Sequence, residues 1–347
     1  MREYGAAENL SHPVQVLAEA APRRPSGPSP ERRPSSIRRT TTIDTVWPEG
    51  FGQPMRMVAR GRDLATGAAH EARVLDAAEI VITASIRREI LAITSTPAIA
   101  GLDQLLGVRA GGASRTTLNQ ALGELRGSIA FQLLDDFAGA SLVAGWVWSR
   151  WVTDWGAELQ RSGAKANSGR GGQMVGVCTG FAPGSSALGV DGGANHATQS
   201  ACEVGALENP ADPNGWHLMT LQGGAPGMRR ARRLDLWRDG ETLHADLGFQ
   251  DSGAAPGGGR VAVHEYRVCA VIDAAAMTLV SIDADPRILP YRECPGAVAN
   301  VARMIGHHVA DFRADVLSTL AGTLGCTHLN DVLRSLADVP ALAHQLE

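Results

Sequence analysis

The chain has 347 residues, 44% of them hydrophobic, with 32 Lys and Arg against 36 Asp and Glu for a formal net charge of −4. That length allows two domains, or one pseudo-symmetric unit with an insertion, and the slightly acidic balance excludes whole-protein attraction to nucleic acid or to an anionic membrane surface. Cys178, Cys202, Cys269, Cys294 and Cys326 are odd in number and widely spaced, which argues against a disulfide framework and for a reducing cytoplasm.

Residues 1–36 contain APRRPSGPSPERRPSS, too poor in apolar surface to offset ordering entropy, and are expected to form a disordered lead-in. They hold no apolar run of signal-peptide length. From 37 to 94, TIDTVW, MRMVARG, EIVITASI and EILAIT alternate as strands do. Residues 98–155 switch to helical spacing through Leu102, Leu105 and Leu106, then Leu118, Leu122 and Leu125, with a last apolar helix from about 131. FAGASLVAGWVW (137–148) is too short to span a bilayer and reads as a buried helix. Trp148, Trp151 and Trp155 stand at i, i+3 and i+7, which predicts three indoles on one helix face, as core, as a dimer interface, or as an aromatic wall for a ring-shaped substrate. Residues 156–228, rich in Gly, Ala, Asn and Pro, form an irregular insertion that ends near Trp216 and His217. Beyond it RRLDLWRDGETLHADLGF predicts a hairpin turning at Asp239-Gly240, VHEYRVCAVID and MTLVSIDA predict strands, and 296–347 is helical.

The second half repeats the first. RRTTTID (38–44), GRDL (61–64), ITSTP (93–97), LLG (105–107), Arg115, Leu122 and FQLLDD (131–136) correspond in order to RRARRLD (229–235), FQDS (249–252), IDADP (282–286), MIG (304–306), Arg313, Leu320 and CTHLND (326–331). The predicted fold is therefore α+β: a tandem duplication of an antiparallel sheet-plus-helices unit, 37–155 and 229–347, around the central insertion 156–228. Where the first copy has Phe131 and Leu133, the second has Cys326 and His328. This difference directs attention to the second copy for chemistry.

CTHLND places a thiol and an imidazole at a helix start, where free backbone N–H groups lower a thiol pKa. Cys326 is the candidate nucleophile and His328 its base, with Glu293 and Cys294 of YRECPGA as neighbours at a strand-to-helix junction. Trp216, His217, Trp148 and Trp151 are candidate substrate-binding residues. VHEY sets His264 and Tyr266 on one strand face and Glu265 on the other; a strand histidine more often hydrogen-bonds than ligates. The preferred function is a cytoplasmic small-molecule enzyme, a lyase, isomerase or hydrolase of an apolar or aromatic metabolite. It would have no nucleic-acid or membrane partner, and would be a homo-oligomer if the tryptophan stripe is an interface. The alternative is a metal-binding protein holding zinc or an iron–sulfur cluster through Cys294, Cys326, His328 and Asp251. A third is a structural or partner-binding module with merely packed thiols. The chain lacks GxGxxG in its strand–helix context, Walker A, GxSxG, CxxC and HExxH, so no nucleotide cofactor and no standard zinc motif is indicated.

RRTTTIDTVWPEG, QLLDDFAGA, the GWH element, VHEY, LPYRECP and GCTHLNDVLRSL, in this order over about 37–340, resemble a bacterial family of unknown function, DUF2889; the likeness implies no activity. More distantly, antiparallel strands followed by helices are similar to the NifU-type iron–sulfur scaffold proteins and their SufE-like relatives. That resemblance implies cysteine ligands at Cys294 and at the Cys326–His328 helix start, but FQDS offers Asp251 and Ser252 where a third cysteine would stand.

Overall fold

The computed structural model describes residues 18–161, 173–220 and 224–346. The alternating segments of the first half form an antiparallel meander of β1 (Ser36–Val46), β2 (Met55–Thr66), β3 (Ala72–Ala84) and β4 (Ile90–Thr96). After the short β5 (Cys202–Val204), a second meander runs through β6 (Gly227–Asp239), β7 (Thr242–Ala254), β8 (Arg260–Asp273) and β9 (Leu279–Ile288). Gly240, with φ of 57°, closes the β6–β7 hairpin where the sequence puts it. Strands β1 and β6 pair antiparallel and join the meanders into one nine-stranded sheet, β4-β3-β2-β1-β6-β7-β8, with β5 and β9 both pairing with β8. The fold class is α+β, as expected.

The helices are α1 (Gly112–Leu122), α2 (Ile129–Ala144), α3 (Trp148–Trp151), α4 (Trp155–Arg161), α5 (Phe312–Thr319), α6 (Thr327–Arg334) and α7 (Val339–Ala343). A 3-10 helix, Cys294–Met304, precedes α5. Both helical groups cover the same sheet face: Arg39 of β1 reaches Asp338 between α6 and α7, and Arg232 of β6 reaches Asp136 of α2. Beneath each meander lies an apolar core, one built on Leu118, Leu122, Phe131 and Phe137, the other on Phe312, Leu329, Val332 and Leu336. The sixteen residues of α2 are nearly all buried, and no helix among the described residues is long and apolar enough to cross a membrane.

The central register is reciprocal. Arg38 stands opposite Asp235, and Asp44 opposite Arg229; each pair is also a buried two-bond ion pair. These residues open and close RRTTTID and RRARRLD, so the two strands pair as equivalents about the Thr41–Arg232 position. Each half then repeats a second pairing, from its first strand to its second. Arg39 binds Asp63 through two bonds of 2.7 Å, and Arg230 binds Asp251 at 2.9 and 3.0 Å. In both halves the ladder slips immediately after that aspartate. A one-residue shift would strand every one of these charges, so the ion pairs specify register.

Two expectations need correction. Residues 18–36, assigned to the disordered lead-in, are packed across the sheet face opposite the helices from Arg23 on; residues 1–17 lie outside the described residues. Trp216 Nε1 donates to Ser29 Oγ at 2.9 Å, Arg38 Nη2 to Pro30 O at 2.9 Å, and Ser26 N to Glu265. Apolar burial was too narrow a criterion, because this segment is held by polar groups of the sheet and insertion. Deleting residues 1–30 is accordingly expected to lower unfolding free energy by about 2–4 kcal/mol, at roughly 1 kcal/mol per lost hydrogen bond plus exposure of Trp216. An unchanged denaturation midpoint would show that the segment only rests on the sheet. The tryptophan stripe also fails as one helix face: α3 ends at an extended Val152, and Asp154 has φ of 56° before α4 starts. Trp148 packs edge-on to Trp47 and Phe51, Trp155 to Phe51, and Trp151 donates to Ala254 O.

Candidate metal centre

Asp251 on β7 and His264 on β8 are opposed in the ladder, at the point where it slips. Strand alternation turns His264 and Tyr266 toward the helices and Glu265 toward Ser26 on the other face. From above, α6 lowers His328 onto the same spot: Cys326 is its extended N-cap, the helix starts at Thr327, and His328 is its second residue. The two imidazoles stack with centroids 3.5 Å apart and planes 19° apart, and Phe249 flanks His328 at 6.5 Å.

Three potential ligand atoms meet here. His264 Nδ1 lies 3.6 Å and His328 Nε2 3.7 Å from Asp251 Oδ2, and all three lie within 4.8 Å of one another. Both nitrogens are buried without a hydrogen-bond partner. The gaps exceed the roughly 2.7–3.2 Å of a hydrogen bond. They approach the roughly 3.3–3.6 Å that separates two ligands of a tetrahedral ion with bonds of about 2.0–2.2 Å. Thr327 Oγ1 stands 3.3 Å from the other ring nitrogen of His328, the kind of outer contact that orients a ligating imidazole.

The surroundings hold each group in its ligating protonation state. Burial, then the neighbouring imidazole and Arg230, push the His328 pKa well down; burial also lowers that of His264, despite Asp251. Burial is the largest influence on Asp251 and opposes its ionisation, but Arg230 and the two histidines together outweigh it and keep the carboxyl well below the usual range. Arg230 spends its remaining Nη1 on Asp331 at 2.9 Å. A carboxylate has about four acceptor positions, so Asp251 Oδ2 keeps one for the gap it shares with the histidines. Gly139 lets α2 close over this arrangement, since a Cβ there would sit 2.2 Å from both Arg230 Nη1 and Asp331 Oδ2.

The residues singled out in the sequence do not gather in one place. Asp251 and His328 of the expected metal set come together, but their partner is His264, whereas Cys294 and Cys326 turn into the apolar core with Tyr266. Cys326 is 4% exposed and burial raises its pKa, although the Tyr266 hydroxyl and the backbone N–H groups of Leu329 and His328 work against this. A nucleophile paired with His328 as base is thus the wrong geometry: the ring's Nε2 faces Asp251 and its Nδ1 faces Thr327. Glu293 anchors the insertion, accepting from Ser186 N at 2.9 Å and Ser186 Oγ at 3.0 Å. Trp216 and His217 lie across the sheet, His217 between Thr40 and Thr42, so they cannot wall a substrate at His328. Trp148 is buried in its aromatic cluster.

The first half lacks histidines at the corresponding positions. Asp63 has the place of Asp251, Asp76 opposes it where His264 opposes Asp251, and Leu133 has the place of His328. At these matched positions the second half has His264 and His328 where the first has Asp76 and Leu133. His264 was legible only by aligning FQDS and VHEY across a ladder whose register the sequence does not state.

The family model described as "Protein of unknown function (DUF2889)" matches residues 228–342, the second meander with its helices, which carry all three candidate ligands. No curated protein and no solved structure matches the chain, so the resemblance to iron–sulfur scaffold proteins gains no support.

Proposed function

We propose that this protein binds one divalent transition-metal ion through Asp251, His264 and His328, and that the ion serves small-molecule chemistry of the hydrolase or lyase type. One observation carries the reading: two buried, partnerless imidazole nitrogens and a carboxylate oxygen converge at 3.6 and 3.7 Å. Two histidines and one carboxylate suit Zn2+ or Fe2+. Three protein ligands leave a coordination position for water or substrate, as in catalytic rather than structural sites. A bound ion would supply Lewis acidity or an activated water. The chain's own part is to hold Asp251 ionised through Arg230, keep both imidazoles neutral, and exclude bulk water with α6 and Phe249. Imidazole lone pairs lie in the ring plane, so binding would fan the stacked rings apart.

Freshly purified protein is expected to hold about one equivalent of metal, and stripped protein to take up Co2+ with the visible absorption of a tetrahedral site. His328→Ala and His264→Ala should each weaken uptake roughly 100-fold, about a quarter of the free energy of a four-ligand zinc site. Equal Co2+ affinity in wild type and both variants would overturn the assignment.

A further inference from the structure

We propose that the sheet face opposite the metal centre carries a separate binding site, for one small zwitterionic amino acid, in a cavity of about 90 Å³ between strands β6–β8 and the segment Ser26–Pro30. Its floor is two rows across the strands. Ala231, Gln250 and Glu265 stand side by side in the first row, and Arg233, Gly248 and Arg267 in the second. Pro28, Leu207 and Trp216 close it with apolar surface. A water needs about 10–15 Å³ of such space, so a molecule of roughly six heavy atoms fits.

The charges select the ligand. Glu265 is 4% exposed, accepts from Ser26 N and Gln250 Nε2, and has no cation partner among the described residues. A carboxylate accepts more hydrogen bonds than these, and burying one without a countercharge is costly; an ammonium group supplies both. An amine alone, however, would face the guanidinium groups of the second row. Arg233 gives Nη1 to Asp235 and Nη2 to Asp246, and Arg267 gives Nη2 to Asp246, which leaves N–H donors on both for a ligand carboxylate. The rows lie about 7 Å apart, two residues along a strand, so one small molecule carrying both groups reaches from Glu265 to the arginines.

Gly248 makes the room. Glycine weakens a strand interior and marks places of close approach. Neither backbone nor packing requires it here: its φ is not positive, and a Cβ would lie 3.6 and 3.7 Å from Arg233 Nη2 and Nε, ordinary contact. In the first half the matching rows are Thr40, Arg62, Ala77 and Thr42, Arg60, Glu79. There Arg60 binds Glu79 at 2.6 Å across the place that Gly248 leaves open, and Ala77 has the place of Glu265.

Calorimetric titration of the full chain with L-alanine tests this. One equivalent is expected to bind, with ethylamine and propionate, which carry one charged end each, at least about tenfold weaker. Glu265→Gln and Gly248→Val should each weaken L-alanine by a similar factor. If Glu265→Gln releases the Ser26–Pro30 segment, Gly248→Val decides, because valine suits a strand and leaves every charge in place. EDTA-treated protein should bind L-alanine equally. No saturable binding of L-alanine, ethylamine binding as tightly, or full affinity in Gly248→Val would overturn the proposal. So would binding lost on EDTA treatment, since the amino acid would then be a ligand of the metal on the other face.

Discussion

Replacing Arg230 with methionine is expected to lower the unfolding free energy by about 3–5 kcal/mol, among the largest losses available to a single substitution in this fold. Arg230 holds both oxygens of Asp251, which is wholly buried, and one oxygen of Asp331. Asp331 keeps Arg115 at 2.9 Å, but Asp251 would be left with only two neutral imidazoles. Methionine matches much of the volume, so the loss reports the stranded charge rather than a cavity. Adding Asp251→Leu should recover most of the stability, because removing both partners of a buried pair costs far less than removing one. The measurement is the urea midpoint at constant slope. A loss under about 1 kcal/mol would mean that water reaches Asp251. Metal provides a second arm: if Asp251 is a ligand, a divalent ion replaces the missing positive charge. At one hundred times its dissociation constant it should restore about 2.7 kcal/mol to the Arg230→Met protein, and nothing to the Asp251→Leu double variant.

Much of the fold was legible because its signals are local. Strand alternation, the Asp239-Gly240 turn and the apolar helix around Asp136 each declare themselves within a few residues, and both halves run from strands into helices. The centre was legible in part. His328 and Asp251 stood out as departures from Leu133 and from the cysteine expected in FQDS, but His264 became a partner only through the β7–β8 register and its slip. The cysteines misled for a related reason. A helix start exposes N–H groups that favour a thiolate, yet the sequence does not say how deeply that start is buried, and at Cys326 burial outweighs the helix. The N-terminal segment shows the same limit from the other side. Its proline and serine residues form no core, but Trp216, Glu265 and Arg38 offer the hydrogen-bonding partners that hold it.

His217 should make the protein acid-sensitive well above the range where carboxylates titrate. It bridges β1 from the face opposite the metal centre, Nδ1 to Thr40 Oγ1 and Nε2 to Thr42 Oγ1, each at 2.9 Å. The neutral ring fits this site in either tautomer, because each threonine hydroxyl can donate or accept. The cation does not fit: burial first, then Arg62, Arg229 and Arg60, push the pKa down to about 3. An unfolded chain protonates its histidines near pH 6.5. Between that value and about 3 the unfolded state therefore binds the extra proton, so the stability His217 contributes is complete above pH 6.5 and declines as the pH falls. From pH 6.5 to pH 4 the loss should be about 2–3 kcal/mol, somewhat less than the full 1.36 kcal/mol per pH unit. His264 and His328 also resist protonation, so wild type must be compared with His217→Gln, which retains hydrogen-bonding capacity but cannot titrate. The difference between their urea-derived stabilities should shrink by that amount as the pH is lowered. Parallel curves from pH 7 to pH 4 would mean that the imidazolium is accommodated between Thr40 and Thr42, and that the segment carrying Trp216 and His217 opens to water without loosening the sheet.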